Sequence, residues 1–121
     1  MIFLDTNILI EILKGNQTTI KKVQFFYNSL AIYSITVMEL FFGALNKAEV
    51  NKLKKIMALF KIIDINKAIS KQSTSLILTY AKSHHLDIPD ALIGSTALVL
   101  NMPLFTYNVK DFRFINGLEL V

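Results

Sequence analysis

Short, almost wholly apolar segments alternate along this chain with longer segments in which apolar residues recur every three or four positions. The short segments predict β-strands, and the first of them, residues 2–4, is too apolar for a half-exposed strand. They lie at residues 2–4, 30–33, 61–64, 103–106 and near 118–120. The longer segments have helical spacing and predict α-helices. They lie at residues 7–14, 18–29, 36–45, 48–59, about 66–84 and 90–100.

This alternation of strands and helices predicts an α/β fold with a central, mostly parallel sheet of four to five strands and helices on both faces. The length of 121 residues, without repeats or linkers, suggests a single domain over residues 1–121. Ligands of such folds bind outside the carboxyl ends of the strands. We therefore expect the functional residues to follow the strands.

Composition narrows the class of protein. Hydrophobic residues make up 53% of the chain and charged residues 18%, which argues against global disorder. This apolar composition indicates either a large core or an apolar surface that meets a partner. Because cysteine is absent, disulfides and thiolate metal sites are excluded. No secretory signal is expected, since the apolar start of the chain lacks a basic leader and is interrupted by Asp5 and Glu11. No membrane span is expected either, since the longest mostly apolar stretch, from Ala91 to Phe105, is too short and contains polar residues. A cytoplasmic protein fits these features.

Four acidic residues that are distant in sequence are expected to meet at one edge of the sheet: Asp5, Glu39, Asp90 and Asp111. A carboxylate at the end of a buried strand is costly unless something binds it, which suggests a shared cation. The net charge is +4, and thirteen basic residues would face only five acids, or +8, outside such a site. A polyanion suits this field, although ordinary surface lysines also explain the charge.

Each acid also has a purely structural interpretation. Asp5 and Asp90 could cap helices, and Thr36 with Glu39 fits a capping box. Asp111 by itself would be a solvated turn residue. Capping and metal binding are compatible, because a carboxylate has two oxygens.

The helix predicted over residues 36–45 is apolar nearly all round. One face of a helix can enter a core, and the remaining apolar surface needs another partner. We therefore expect a protein interface at this helix, with core burial as the alternative.

The four acidic segments together resemble the PIN-domain ribonucleases, most closely the toxin members called VapC. The segments that carry the resemblance are Phe3-Leu4-Asp5-Thr6-Asn7, Ser34-Ile35-Thr36-Val37-Met38-Glu39-Leu40 with Gly43, Asp90-Ala91-Leu92-Ile93-Gly94-Ser95-Thr96-Ala97-Leu98 and Leu104-Phe105-Thr106-Tyr107-Asn108-Val109-Lys110-Asp111-Phe112. Each motif alone is weak, but they occur in the order of the family and span essentially the whole chain.

The resemblance implies an acidic site that binds Mg²⁺ or Mn²⁺ and hydrolyses RNA. Asp5, Glu39 and Asp90 match the first three acids of the family. Asn108 stands where many members have an aspartate, so the fourth acid is assigned to Asp111. Two polar positions, Asn7 and Thr106, match residues that support the site, and Lys110 and Arg113 are expected to contact phosphate.

The resemblance also implies a homodimer and a small VapB-like antitoxin whose tail fills the site. A catalytically weakened PIN-like module that binds RNA or protein is the alternative, and Asn108 is its best support. A haloacid-dehalogenase phosphatase would need an aspartate where this chain has Asn7. A dinucleotide-binding domain is disfavoured because no Gly-x-Gly-x-x-Gly follows the first strand. A protein-interaction domain would leave the four acids unexplained.

Overall fold

The computed structural model describes residues 1–26 and 29–121. The chain divides into two compact units, Met1–Asp64 and Ile65–Val121. No helix within these described ranges has both the length and the apolar character that crossing a membrane requires.

The first unit contains three parallel strands in the order β3–β2–β1. Its elements are β1 (Ile2–Leu4), α1 (Thr6–Leu13), α2 (Gln17–Phe25), β2 (Leu30–Tyr33), α3 (Ser34–Phe42), α4 (Lys47–Met57) and β3 (Lys61–Ile63). Leu4 pairs with Ile32, and Tyr33 pairs with Ile63. Because the strands are parallel, β1 and β2 end at the same edge, and α1 and α3 both begin there.

The strands β1 and β2 supply much of the core of this unit. Phe3, Leu4, Ala31 and Ile32 have no exposed surface. Ile8 and Leu9 of α1, and Leu53 and Met57 of α4, add to the same apolar core. Removal of these side chains from water is the main force that holds the unit together.

The second unit consists of two packed helices, one short strand and a 3₁₀ turn. Its elements are α5 (Lys67–His84), α6 (Ile88–Val99), β4 (Leu104–Phe105) and the 3₁₀ turn Val109–Asp111. Gly94 allows the close packing of α6, because a methyl group there would lie 3.1 Å from Ile115 Cδ1 and 3.7 Å from Leu76 Cδ1. Leu104 forms a single parallel bridge with Leu120.

These elements confirm the predicted α/β class with parallel strands. The strand at Leu30–Tyr33 is as expected, and so is the start of α5 near residue 66. Asn66 caps this helix by accepting a hydrogen bond of 2.8 Å from the Ile69 amide. The predicted end of α2 near residue 29 is too late, since the helix ends at Phe25; residues 27 and 28 lie outside the described residues. The strand expected near residues 118–120 is reduced to the bridge at Leu120.

Two predicted helix starts are wrong. The helix expected from Thr36 begins at Ser34, directly after β2, and Tyr33 occupies its N-cap without a side-chain hydrogen bond. The capping box of Thr36 and Glu39 is therefore absent. The helix expected from Asp90 begins at Ile88, because Asp87 is the cap.

Candidate active site

Asp5 lies at the carboxyl end of β1 and is only 5% exposed. Its Oδ1 accepts a hydrogen bond of 2.7 Å from the Thr6 amide, which confirms that it caps α1. A buried carboxylate at the N-terminus of a helix is stabilised by the partial positive charge of the helix end. The same residue thus combines a structural role with the position expected for a functional acid. Asn7 follows as the second residue of α1 and is half-buried.

A hydrogen bond between two threonines joins α1 to α3. The Thr6 and Thr36 hydroxyl oxygens lie 2.8 Å apart, and Thr36 is 1% exposed. Thr36 is therefore a buried contact in the first turn of α3, which explains why it does not cap the helix. This bond holds the first turns of both helices together at the edge where β1 and β2 end.

Glu39 is exposed on α3, three residues after Thr36. Residues with this spacing share one face of a helix. The first unit consequently places Asp5 and Glu39 at the same edge of its strands. Two apolar residues of the same helix near Glu39, Met38 and Phe42, are themselves exposed.

Sequence reasoning missed the buried Tyr33. This last residue of β2 is 2% exposed and contacts Phe3 edge to face, with 6.3 Å between the ring centroids. Within the described residues, its hydroxyl has no hydrogen-bond partner. Burial raises the pKa of Tyr33 above its ordinary value of 10.0, because the phenolate would lose its hydration. Leu4 pairs with Ile32, so Tyr33 lies level with Asp5 in the neighbouring strand. A tyrosine at the end of an otherwise aliphatic strand was the sequence signal that could have identified it.

Asp90 lies in the first turn of α6 and is half-buried. Its amide donates a 2.9 Å hydrogen bond to Asp87 Oδ1, so Asp87 is the cap that sequence reasoning assigned to Asp90. The proline at position 89 fits this first turn, where its missing N–H costs nothing. The carboxylate of Asp90 therefore lies near the N-terminus of α6, where the helix dipole favours negative charge.

The segment after β4 carries the remaining candidates. Thr106 is 4% exposed, and its hydroxyl accepts a hydrogen bond of 2.9 Å from the Asn108 amide. The side chains that follow are exposed: Asn108, Lys110, Asp111 and Arg113. Asp111 is the last residue of the 3₁₀ turn, and its amide donates a hydrogen bond of 3.0 Å to the Asn108 carbonyl. Thr106 thus supports the backbone conformation of the loop that presents these four candidates.

The four acids are divided between the two units. Asp5 and Glu39 belong to the first, and Asp90 and Asp111 belong to the second. In the part of the chain that the structure describes, no three acidic or histidine side chains are grouped in a way that would hold a metal ion. The donors themselves fit Mg²⁺ or Mn²⁺ chemically, because all are carboxylate, amide or hydroxyl oxygens.

Comparison with known proteins identifies the family. The PIN domain model matches residues 2–117. The chain is 29% identical over 128 residues to Ribonuclease VapC1 of Rickettsia felis, covering 99% of this chain and 94% of that protein.

Solved structures agree with this match over the whole chain. A toxin–antitoxin complex from Klebsiella pneumoniae contains a chain 31% identical, with a TM-score of 0.84 and coverage of 98% of this chain and 95% of that one. VapBC2 from Rickettsia felis, bound to a DNA fragment from its promoter, contains a chain that is 30% identical to this one. Its TM-score is 0.84, and the match covers 100% of this chain and 98% of that one. This protein therefore belongs to the PIN domain family and is a VapC-type member of it.

Proposed function

We propose that this protein is a metal-dependent endoribonuclease that hydrolyses RNA phosphodiester bonds and acts as the toxin of a toxin–antitoxin pair. The observation that carries the proposal is the buried Asp5 carboxylate at the end of β1, in a chain that matches the PIN domain from residue 2 to 117. The match spans both compact units, which supports a single PIN domain over residues 1–121.

The four acids have different proposed roles in binding Mg²⁺ or Mn²⁺. In this proposal Asp5 and Asp90 would be the main ligands, Glu39 would hold a ligand water or a second ion, and Asp111 with Asn108 would complete the set. A bound divalent cation supplies a more acidic water as nucleophile and neutralises charge on the scissile phosphate.

The other residues position these groups and the substrate. The Thr6–Thr36 hydrogen bond and the Asp5 cap fix the direction of the Asp5 carboxylate. Asn7, the second residue of α1, supports the same carboxylate. Thr106 fixes the backbone of the loop at Asn108, because its hydroxyl accepts a hydrogen bond from the Asn108 amide. The exposed Lys110 and Arg113 contact the RNA phosphates, and Arg suits this role because its guanidinium can bond two oxygens at once.

The partners are an RNA substrate, a small VapB-like antitoxin and a second copy of the chain. Apolar side chains on and after α3 support a protein interface, since Met38, Phe42 and Leu45 are 60%, 94% and 85% exposed. We place the protein in the cytoplasm, where RNA is available. Light scattering of the purified protein tests the homodimer, and a monomer at every concentration contradicts it.

The activity is tested with Asp5→Asn and Asp90→Asn. Asparagine keeps the Oδ1 that accepts the Thr6 amide, so Asp5→Asn retains the α1 cap while it removes the negative charge. We expect RNA cleavage in Mg²⁺ or Mn²⁺ to fall at least about 100-fold in each variant. The control is Glu119→Gln, which neutralises an exposed acid outside the proposed site. Undiminished turnover in either variant removes that residue from the ligand set.

The alternative of a catalytically weakened PIN-like module rests on Asn108. Asn108→Asp restores the acid that many family members have at this exposed position. An active parent enzyme refutes the alternative. Metal-dependent cleavage by Asn108→Asp together with an inactive parent establishes the alternative instead.

A further inference from the structure

We propose that three rings in the second unit form a subsite on which an unpaired base of the RNA substrate stacks. The rings are Tyr80, His84 and Phe114, called the aromatic cluster below. This inference rests on the proposed function, because it describes how the same nuclease holds its substrate.

The geometry of the aromatic cluster is that of a stack. The His84 and Phe114 rings are nearly parallel, with 4.3 Å between centroids and 17° between planes. Tyr80 flanks both rings, at 5.1 Å from Phe114 and 5.6 Å from His84, and is tilted against each. A third planar group can extend such a stack, because every nucleobase has a flat π-face.

The aromatic cluster is fixed before any ligand binds. Tyr80 and His84 are one turn apart on α5, so they share a helix face. The Tyr80 hydroxyl accepts a 3.1 Å hydrogen bond from the Asn116 amide, and Ser83 Oγ lies 2.7 Å from His84 Nδ1. A rigid platform loses little conformational entropy when a ligand stacks on it.

Phe114 is presented by a segment that is anchored on both sides. Phe112 is fully buried and Ile115 is 3% exposed, whereas Arg113 is exposed and Phe114 is half-buried. Two buried neighbours therefore hold the Phe114 ring at the surface. The segment begins directly after Asp111, so the aromatic cluster adjoins the loop that carries a proposed catalytic residue.

Exposure and charge point to a nucleic acid as the ligand. His84 is exposed although it stacks on Phe114, and Tyr80 is only half-buried. Three exposed basic side chains lie within four residues of a ring along the sequence: Lys82, Lys110 and Arg113. Aromatic rings interleaved with basic residues are typical of single-stranded nucleic acid binding, where rings stack on bases and cations follow the phosphates.

A structural clasp between α5 and residues 112–117 is the competing role of the aromatic cluster. His84→Leu separates the two, because leucine keeps an apolar contact with Phe114 but has no flat ring. His84→Phe restores a ring of similar orientation. A clasp requires only apolar contact, whereas the subsite requires the ring.

The test measures binding of a single-stranded RNA hexamer that carries one 2-aminopurine, whose fluorescence is quenched on stacking. Binding is followed by anisotropy in EDTA with the full chain, so that cleavage does not interfere. The parent is expected to bind and quench the probe. His84→Leu and Phe114→Leu should weaken binding about tenfold and abolish the quench, and His84→Phe should restore both.

Phe25→Leu is the matched control, because Phe25 is an 80% exposed ring beside two lysines in the first unit. Its binding should equal that of the parent. Failure of the parent to bind the hexamer, unchanged binding in the leucine variants, or no rescue by His84→Phe each overturns the subsite. Metal-dependent RNA cleavage by the parent is measured separately, so failure of the proposed function is recognised independently of the binding result.

Discussion

Thr6 and Thr36, thirty positions apart in the chain, share a hydrogen bond of 2.8 Å between their side-chain hydroxyls. Thr6 directly follows the buried Asp5, and Thr36 precedes Glu39 by one helical turn. The bond therefore couples the two candidate acids of the first unit, Asp5 and Glu39, through the helices that follow and carry them. It gives α3 a fixed position that its own N-cap, Tyr33, does not provide.

Thr36→Val removes this bond while it preserves the shape of the side chain. We expect the free energy of unfolding to fall by about 1–2 kcal/mol, because the valine also leaves the Thr6 hydroxyl without this partner. RNA cleavage should fall with it, since Asp5 and Glu39 lose their coupling. Thr36→Ser keeps the hydroxyl and is the matched control.

Denaturant unfolding and cleavage rates of Thr36→Val, Thr6→Val and the double variant complete the test. Non-additive effects on the free energy of unfolding are expected, since the two residues share one interaction. Fully additive effects would show that the two hydroxyls contribute independently.

Addition of Mg²⁺ or Mn²⁺ should raise the melting temperature. An ion that binds only the folded protein stabilises it by mass action, by about 2.7 kcal/mol at one hundred times its Kd. The Asp90→Asn variant should lose most of this shift, whereas Glu119→Gln should keep it. A melting curve that is insensitive to millimolar ion would contradict a metal site of useful affinity.

The Tyr33 hydroxyl should make stability depend on pH only in the alkaline range. Burial raises the pKa of Tyr33 above 10.0 in the folded state, so the folded protein holds the proton more tightly than the unfolded chain. Its contribution is fully present below about pH 10 and is lost as pH rises through the folded pKa.

Tyr33→Phe removes this titration. Because the hydroxyl has no hydrogen-bond partner among the described residues, the variant should be as stable as the parent at neutral pH, within about 1 kcal/mol. Denaturant unfolding from pH 8 to 11 should show a steeper loss of stability in the parent than in Tyr33→Phe. Parallel curves for the two proteins would refute the assignment.

Ser95 offers a stabilising substitution. It is fully buried in α6, and its hydroxyl has no hydrogen-bond partner in the residues that the structure describes. Ser95→Ala removes the unpaired polar group and improves helix propensity, so the free energy of unfolding should rise by about 1 kcal/mol. Thermal unfolding checks the sign, and a lower melting temperature would show that the hydroxyl is satisfied in solution.

Several features of this protein could be predicted from sequence because their signals are local. The four apolar residues at Leu30–Tyr33 are a strand, and Asn66 caps α5 through a hydrogen bond to an amide three residues away. The alternation of such segments was sufficient for the α/β class. The order of the acidic motifs was sufficient for the PIN family, which the match over residues 2–117 confirms.

The errors occurred where a distant contact or a competing local signal decided the structure. Thr36 looked like a cap because threonine precedes glutamate by three positions, but its hydroxyl bonds instead to Thr6. Asp90 looked like the cap of α6, but its own amide donates a hydrogen bond to Asp87, which is the actual cap. The stack of His84 on Phe114 joins residues thirty positions apart and has no periodic signal.

The sequence by itself determined the order and approximate positions of most secondary-structure elements, the family and the candidate acids, because hydrophobic periodicity and the acidic motifs are recorded within short stretches of chain. Only the tertiary structure decided that Tyr33 is buried beside Phe3, that Thr6 bonds to Thr36, and that His84 stacks on Phe114. These contacts form between segments that are distant in sequence. Which segments meet depends on how the whole chain buries its apolar surface and packs its core, so no short stretch of sequence records it.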